Sequence, residues 1–294
     1  MFMKIQLSLL TLLLLAAATT LRADEQRELV LVAGQSNAVG YDAYANELPA
    51  DAGDKDVLFW WRCGDPPPDE FDTTSGRNWT HLQAQPKGNP MSKPEATAAR
   101  SVRQYGNFAK PEGGFGPEIG FAREWRAKGG KPLAIVKVAF SGTGMRTDWN
   151  PADAGPAGAC YRALVGETKA AKERGITLRL RALLWVQGES DANAADAANY
   201  EKNLGAMLAA LRKDLDASQL VALLAVNTRF GNDKNPFMPQ VIAAQQALAT
   251  KDKLCVYVDT AGAETLLPTR THFTAAGTIE VGRRFAAEWG KRGE

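Results

Sequence analysis

Short apolar runs alternate along this chain with longer segments in which apolar residues recur at helical spacing. The runs are rich in Val, Leu and Ile and lack polar alternation, which is typical of strands buried on both faces of a sheet. They predict strands at residues 29–33, 57–61, 132–140, 178–186, 220–226 and 254–258. The amphipathic segments predict helices at residues 117–129, 161–174, 194–215, 236–250 and 274–289.

This alternation of strands and helices predicts an α/β fold with a mostly parallel central sheet and helices on both faces. No repeat, low-complexity tract or linker divides residues 24–294, so we expect a single domain there. Residues of about 62–114 lack a sustained period and contain three consecutive prolines and several aromatic residues. We interpret them as an irregular insertion, which either forms one wall of a cleft or decorates a surface remote from any site.

The first 23 residues have a different character from the rest of the chain. Lys4 precedes an apolar run at residues 7–18, and small and polar residues follow as far as Ala23. A basic start, a short apolar core and a small residue at the cleavage point are typical of a secretory signal peptide. The apolar run is short for a membrane span, so we favour cleavage over a retained anchor and expect a secreted or periplasmic protein without stable membrane insertion.

Composition narrows the possible partners. The chain has 294 residues and a formal net charge of +2, which gives no electrostatic reason to expect nucleic acid or an anionic membrane. Its two histidines, His81 and His272, are too few for a histidine-rich metal site.

Three cysteines allow one disulfide in an oxidising compartment. A Cys63–Cys160 bond is possible, whereas Cys255 lies within an apolar run and is expected to be a buried thiol.

Small and polar residues follow three of the predicted strands. Ser36 comes after Gly34 at the end of the first strand, Gly142 follows residues 132–140, and Gln187 follows residues 178–186. Because the carboxyl ends of parallel strands share one edge of the sheet, residues distant in sequence can converge there. A turn that merely caps a helix is the alternative for Ser36, and a structural role is the alternative for a histidine that precedes a helix, such as His272.

Together these residues can form a hydrolytic site. Ser36 can attack a carbonyl carbon, and His272 can remove its proton and return it to the leaving alcohol. The backbone N–H groups of Ser36 and Gly142, with the side-chain amide of Gln187, are candidate donors to the oxyanion. A carboxylate must orient the imidazole, and the candidates are Glu189 and Asp259.

Four motifs in this order resemble the sialate O-acetylesterase and acetylxylan esterase group of SGNH hydrolases, similar to carbohydrate esterase family 6. They are Gly34-Gln35-Ser36-Asn37, Phe115-Gly116-Pro117-Glu118, Gln187-Gly188-Glu189-Ser190-Asp191 and His272-Phe273-Thr274-Ala275-Ala276-Gly277. The resemblance implies a flavodoxin-like three-layer α/β/α sandwich. It also implies hydrolysis of acetyl esters on carbohydrates without a metal or other cofactor, with Ser36 as nucleophile and His272 as base.

One position departs from the family pattern. Many SGNH hydrolases have an Asp three residues before the catalytic His, and this chain has Thr269 there. A threonine carries no negative charge, so it cannot stabilise an imidazolium. Some members that resemble this chain use the Glu of the Gln-Gly-Glu motif, and we therefore expect Glu189 as the acidic partner ahead of Asp259. A Ser–His dyad and a decayed site remain alternatives.

These features give one leading hypothesis for function, a serine esterase that deacetylates carbohydrate. An inactive carbohydrate-binding protein on the same fold is the second hypothesis, because Thr269 can mark lost catalysis. A thiol enzyme is disfavoured because no Cys follows a glycine-rich strand end, and no phosphate-binding loop is present. Four tryptophans could stack on a sugar ring, although ordinary packing is the alternative; they are Trp60, Trp61, Trp79 and Trp149. Arg146 and Arg229 could bind a substrate carboxylate, although simple exposure to solvent is the alternative.

The leader gives a direct prediction. When the full chain is expressed in a host that exports it, we expect the mature protein to begin at Asp24, because the small residue Ala23 precedes the predicted cleavage point. N-terminal sequencing of the exported protein tests this. A protein that keeps residues 1–23 and sediments with membranes would instead support the retained anchor.

Overall fold

The computed structural model describes residues 26–66, 68–88 and 108–292. The predicted signal peptide, and residues 89–107 of the predicted insertion, lie outside the described residues. All six strands predicted from the apolar runs are present, and two short strands join them. The strands are β1 (Arg27–Gly34), β2 (Leu58–Gly64), β3 (Thr73–Thr74), β4 (Thr80–His81), β5 (Leu133–Phe140), β6 (Leu178–Val186), β7 (Val221–Ala225) and β8 (Cys255–Tyr257).

The strands form one mixed, mostly parallel sheet in the order β3-β2-β5-β1-β6-β7-β8, with β4 also paired to β2. The part β5-β1-β6-β7-β8 is entirely parallel, and its order corresponds to the 2-1-3-4-5 order of flavodoxin-like sheets. Strand β2 extends the sheet in parallel beside β5, and β3 and β4 pair with it in antiparallel fashion. The predicted fold class is therefore confirmed.

Alternate side chains of the central strand enter two separate cores. Leu29, Leu31 and Ala33 lie in one core, and Val30 and Val32 lie in the other, all without solvent exposure. This period of two follows from the pleat of a strand, and burial on both faces explains why β1 has no polar alternation.

In the described part of the chain, six helices complete the three layers. They are α1 (Ser36–Val39), α2 (Glu118–Ala127), α3 (Ala159–Lys172), α4 (Tyr200–Asp214), α5 (Met238–Lys251) and α6 (Ala275–Gly290). Residues of α3, α4 and α5 pack in the core that contains Leu31, and residues of α1, α2 and α6 pack in the core that contains Val32.

The helix predicted at residues 194–215 begins later than expected, at Tyr200. The side-chain oxygen of Asn193 accepts hydrogen bonds from the backbone N–H groups of Ala195 and Asp196, so the chain makes a local turn instead of the first helical turn. A short 3₁₀ turn at Ala197–Asn199 then leads into α4. Because these side-chain bonds compete with helical ones, the helix begins several residues after the point that hydrophobic periodicity alone predicts.

The three cysteines are buried, and none of them forms a disulfide. Cys63 packs in the core with α2 and α6, whereas Cys160 packs in the core on the opposite face of the sheet. A disulfide requires Cα atoms within about 7 Å, so the sheet between them prevents the bond that the sequence had left possible. Cys255 is a buried thiol at the start of β8, as expected, and burial raises its pKa to about 12.

A buried ion pair lies beneath α1. The Nζ atom of Lys137 donates hydrogen bonds to Glu118 Oε1 at 2.8 Å, Gln85 Oε1 at 2.7 Å and the carbonyl of Val39 at 2.8 Å. Lys137, Glu118 and Gln85 are all fully buried. The ammonium group therefore joins the last residue of α1 to β5 and to the start of α2, and it fixes where the chain leaves α1.

Among the described residues, no helix combines the length and apolar character needed to cross a bilayer.

Replacing Lys137 with Met should lower the free energy of unfolding by about 3–5 kcal/mol, because it leaves the buried Glu118 carboxylate without its counter-charge. Denaturant unfolding at pH 7 measures this. The control is Lys128→Met, which removes a half-exposed lysine paired with Glu124 and should cost less than about 1 kcal/mol. Similar losses in the two variants would contradict a stabilising role for the buried pair.

Candidate active site

The candidate site lies where β1 and β6 end side by side. Gly34 is aligned with Val186 of β6 and with Ala139 of β5, so the three chains leave the sheet at one level. This is the point at which strand order reverses in a flavodoxin-like sheet, and ligands bind there because the loops on either side separate. The predicted residues Ser36, Gly142 and Gln187 all follow these strand ends.

Gly34 lets β1 turn into α1 against its neighbour strand. Its φ is +136°, and a Cβ atom at this position would lie 2.1 Å from the carbonyl oxygen of Val186. Only glycine tolerates both the backbone conformation and the close approach. The chain continues through Gln35 into α1, and Ser36 is its first residue, with 6% of its surface exposed.

Ser36, His272 and Asp42 form a continuous chain of hydrogen bonds. The Oγ atom of Ser36 lies 2.9 Å from Nε2 of His272, and Nδ1 of His272 lies 2.6 Å from Oδ2 of Asp42. With the ring proton on Nδ1, the imidazole donates to Asp42 and its Nε2 accepts the serine hydroxyl proton. The hydroxyl of Tyr44 donates to the second carboxylate oxygen of Asp42 at 3.1 Å.

Asp42 reaches His272 because the chain reverses direction after α1. Gly40 ends this one-turn helix with φ of +84°, and the N–H groups of Gly40 and Tyr41 both donate to the carbonyl of Ser36. The following residues fold back over the start of the helix, and the ring of Tyr41 packs 4.9 Å from the His272 ring, centroid to centroid. Gly40 two residues before Asp42 was the available signal, whereas the carboxylates predicted from the sequence, Glu189 and Asp259, both follow predicted strands.

Glu189 is not in the position predicted for it. Its Oε1 atom accepts hydrogen bonds from the Asn37 side chain at 2.7 Å and from the Asn227 backbone at 3.1 Å, whereas Asp42 holds Nδ1 of His272. Glu189 is buried, and this burial raises its pKa, although the two donors and nearby His272 act in the opposite direction. The other candidate, Asp259, is exposed and accepts from the N–H of Ala261 in a turn.

The predicted donors to an oxyanion differ in their availability. Gln187 is fully buried, and its Nε2 donates to the carbonyl of Thr143 and to the carboxylate of Asp191. Both amide protons are thereby used inside the protein, so the side chain is not placed to meet a substrate. In contrast, no acceptor within the described residues takes the backbone N–H of Ser36 or of Gly142.

Asp191 connects the loop that carries Gly142 to the end of β6. Its carboxylate accepts from the backbone N–H of Met145, at 3.0 and 3.1 Å, as well as from Gln187. Burial raises the pKa of Asp191 to about 6, and the neighbouring carboxylates Asp196 and Asp148 act in the same direction against the two donors.

Thr269 does not face the imidazole. It is exposed, and its hydroxyl accepts from the hydroxyl of Thr271. The carboxylate absent at this position therefore has its counterpart at Asp42, on a different segment of the chain.

The candidate sugar-binding residues are buried, partly buried or paired with a carboxylate. Three of the tryptophans are core residues with at most 5% exposure; they are Trp60, Trp61 and Trp149. Trp79 is half-buried and packs edge-on against Trp60. Arg146 pairs with Asp196, and Arg229 pairs with Asp233.

The described residues contain no cluster of three or more His, Cys, Asp or Glu side chains arranged to hold a metal ion. The polar groups at the carboxyl edge of the sheet instead form the hydrogen-bonded chain and the unused N–H groups described above. A serine, an imidazole and a carboxylate in this order are suited to nucleophilic attack on an ester.

A family model described as carbohydrate esterase, sialic acid-specific acetylesterase, matches residues 26–291. No curated protein matches the sequence. Solved structures share the fold at low identity. A protein from Arabidopsis thaliana has a TM-score of 0.62 and 19% identity over 90% of this chain and 98% of its own. NanS has a TM-score of 0.57 and 19% identity over 92% and 98%. A carbohydrate acetylesterase from Xanthomonas citri has a TM-score of 0.54 and 18% identity over 88% and 55%.

The raised pKa of Asp191 predicts a pH-dependent contribution to stability. Between the usual pKa of an Asp, 3.8, and about 6, the folded state binds more protons at this carboxyl than the unfolded state does. As the pH rises through this interval, the free energy of unfolding of the wild type should therefore fall relative to that of Asp191→Asn, by at most about 3 kcal/mol. Denaturant unfolding of both proteins from pH 4 to 7 measures the difference. A constant difference across this range would show that the Asp191 carboxyl does not titrate as expected.

Proposed function

We propose that this chain, which belongs to the sialic acid-specific acetylesterase family of carbohydrate esterases, removes acetyl groups from carbohydrate through Ser36, His272 and Asp42. The family match covers nearly the whole of the described chain, and it confirms the resemblance that the four sequence motifs indicated. The protein is accordingly a carbohydrate acetylesterase, a hydrolase of carboxylic esters. The roles of individual residues and the substrate are the proposed parts.

One observation carries the proposed mechanism, the unbroken hydrogen-bonded chain from Ser36 through His272 to Asp42. The serine oxygen attacks the acetyl carbonyl carbon while Nε2 of His272 takes the hydroxyl proton. Asp42 holds the ring in the required tautomer and stabilises the imidazolium. The imidazolium then protonates the leaving sugar oxygen, and an acetyl-enzyme on Ser36 remains. Water, deprotonated by His272, releases acetate from this intermediate.

The negative charge on the tetrahedral intermediate needs hydrogen-bond donors. We assign this role to the backbone N–H groups of Ser36 and Gly142, since neither donates to an acceptor within the described part of the protein. Gln187 is better suited to a supporting role, because its amide bonds to Thr143 and Asp191 hold the loop that carries Gly142.

The substrate is proposed at the level of the family. The family description favours an O-acetylated sialic acid over acetylated xylan or another neutral glycan. A sialic acid carries a carboxylate, yet Arg146 and Arg229, the arginines considered for it, pair with Asp196 and Asp233. Export through the predicted leader would place the enzyme where acetylated glycans occur.

An inactive sugar-binding protein was the alternative because Thr269 lacks a charge. The contact between Asp42 and His272 supports the active enzyme over that alternative, since it places a carboxylate 2.6 Å from the imidazole. The following test distinguishes the inactive sugar-binding protein from the enzyme.

Replacing Ser36 with Ala should abolish hydrolysis of p-nitrophenyl acetate and of an O-acetylated sialic acid. Asp42→Asn should lower kcat/KM on the order of 10³- to 10⁴-fold, because the amide favours the wrong imidazole tautomer. Asp259→Asn is the matched control and should stay within about twofold of the wild type, because this carboxylate is exposed and bonds only locally. Acetate release under identical conditions measures all four proteins.

Equal inactivity of wild type and Ser36→Ala on a panel of acetyl esters would refute the esterase mechanism, and sugar binding would then be the function to measure. A large loss in Asp259→Asn with little loss in Asp42→Asn would refute the assignment of the acidic partner alone.

A further inference from the structure

The side-chain amide of Asn37 bonds to the peptide groups on both sides of His272. Its Nδ2 donates to the carbonyl of Thr271 at 3.2 Å, and its Oδ1 accepts from the N–H of Phe273 at 3.0 Å. Asn37 is 4% exposed and directly follows Ser36 in α1. One side chain therefore connects the backbone of the nucleophile to the backbone of the base.

Glu189 fixes the orientation of this amide. Its Oε1 accepts from Nδ2 of Asn37 at 2.7 Å and from the backbone N–H of Asn227 at 3.1 Å. The Asn227 side chain in turn donates to the carbonyls of Arg270 and Thr271, at 2.7 and 3.2 Å. The segment before His272 is thus held from two strand ends, after β1 and after β7. Every donor in this group faces an acceptor, so the amide of Asn37 has one satisfied orientation.

We propose that Asn37, oriented by Glu189, is a positioning residue that sets the distance between Ser36 and His272. The inference rests on the proposed function, because it concerns the geometry of that catalytic pair. Both side chains are buried and bonded to each other, and Asp42 holds the imidazole nitrogen that Glu189 was expected to hold. We refer to Asn37, Glu189 and Asn227 as the histidine brace.

The position of His272 explains why a brace is needed. The residue lies on a loop that includes the exposed side chains Leu266 and Leu267, at 40% and 65% exposure. Within the described residues, the backbone of His272 itself makes one hydrogen bond, in which its carbonyl accepts from the N–H of Leu266. Proton transfer from Ser36 depends on the 2.9 Å contact, and a displacement of about 1 Å can cost on the order of 10²-fold in rate. Bonds on both sides of His272 restrict that displacement.

Hydrogen-bond acceptance is the property of Glu189 that the brace requires. Its second oxygen, Oε2, is buried without a partner in the described structure, so Oε1 makes the contacts to Asn37 and Asn227. A glutamine can place its carbonyl oxygen at the position of Oε1, whereas a leucine of similar size cannot accept either bond. A triad carboxylate, in contrast, would need its negative charge. The pair Glu189→Gln and Glu189→Leu therefore separates the two roles.

The test compares Asn37→Ala, Glu189→Leu and Glu189→Gln with wild type and Ser36→Ala. Asn78→Ala is the control for loss of an asparagine side chain, because it removes an exposed amide that donates to the nearby carbonyl of Gly76. Two readouts are needed, namely kcat and KM for p-nitrophenyl acetate and the downfield NMR signal of the His272 Nδ1 proton. The only other histidine, His81, is exposed, so its ring proton exchanges rapidly and does not interfere.

We expect Asn37→Ala and Glu189→Leu to lower kcat on the order of 10²-fold with KM changed less than about threefold, and to weaken or remove the downfield signal. Glu189→Gln should retain the signal and lose less than about tenfold in kcat. The double variant Asn37→Ala/Glu189→Leu should be little worse than either single variant, because the two residues act through the same bonds. Melting temperatures identify any variant that is simply unfolded, and Glu189→Gln keeps the comparison valid if Glu189→Leu does not fold.

Wild-type kcat and an unchanged downfield signal in Asn37→Ala would overturn the brace while leaving the catalytic role of Ser36 intact. Collapse of Glu189→Gln to the level of Glu189→Leu would show that the charge of Glu189 is required, and would overturn its assignment as a positioning acceptor. If the wild type had no esterase activity, the proposed function would fail, yet the NMR comparison would still decide whether Asn37 seats the imidazole.

Discussion

The parallel pairing of β1 with β5 on one side and β6 on the other is the constraint on which the site depends. Gly34 pairs with Ala139 and with Val186, so all three strands end at the same level. The chain must leave each strand there, and the exits carry Ser36, Gly142 and the Gln187–Glu189 turn. Hydrogen-bonded register in the buried sheet thus places groups from distant parts of the chain within a few ångströms of each other.

Much of this arrangement could be predicted from the sequence, because burial on both faces leaves a clear signature. The six apolar runs became strands, and hydrogen bonds join the loops after three of them, from Ser190 to Gln35 and from Gln187 to Thr143. The carboxylate that contacts His272 was not predicted, because its position depends on the course of a loop. Gly40 ends α1 after one turn and returns Asp42 to the imidazole, a consequence of backbone angles that hydrophobic periodicity does not report.

The direction in which a side chain points also could not be predicted from the sequence. Gln187 occupies a strand end, where an amide can serve an oxyanion, but the side chain points inward and its protons are used by Thr143 and Asp191. Trp60 and Trp149 similarly have the chemistry of sugar platforms but lie wholly in the core. Residue type is the same in either role, and only packing distinguishes them.

The buried carboxylate of Glu189 has an energetic cost that its contacts only partly offset. Burial raises the pKa of Glu189, and one of its oxygens has no partner within the described residues. Buried ionisable groups often stabilise a fold less than well-packed apolar residues of the same volume do. A group of this kind is best explained by what it orients. Glu189 lies where Asn37 and Asn227 contact the segment that carries His272. Sequences tend to accept such a locally unfavourable group where function requires a fixed geometry. On this argument, stability has been given up around Glu189 so that the imidazole stays within hydrogen-bonding distance of Ser36.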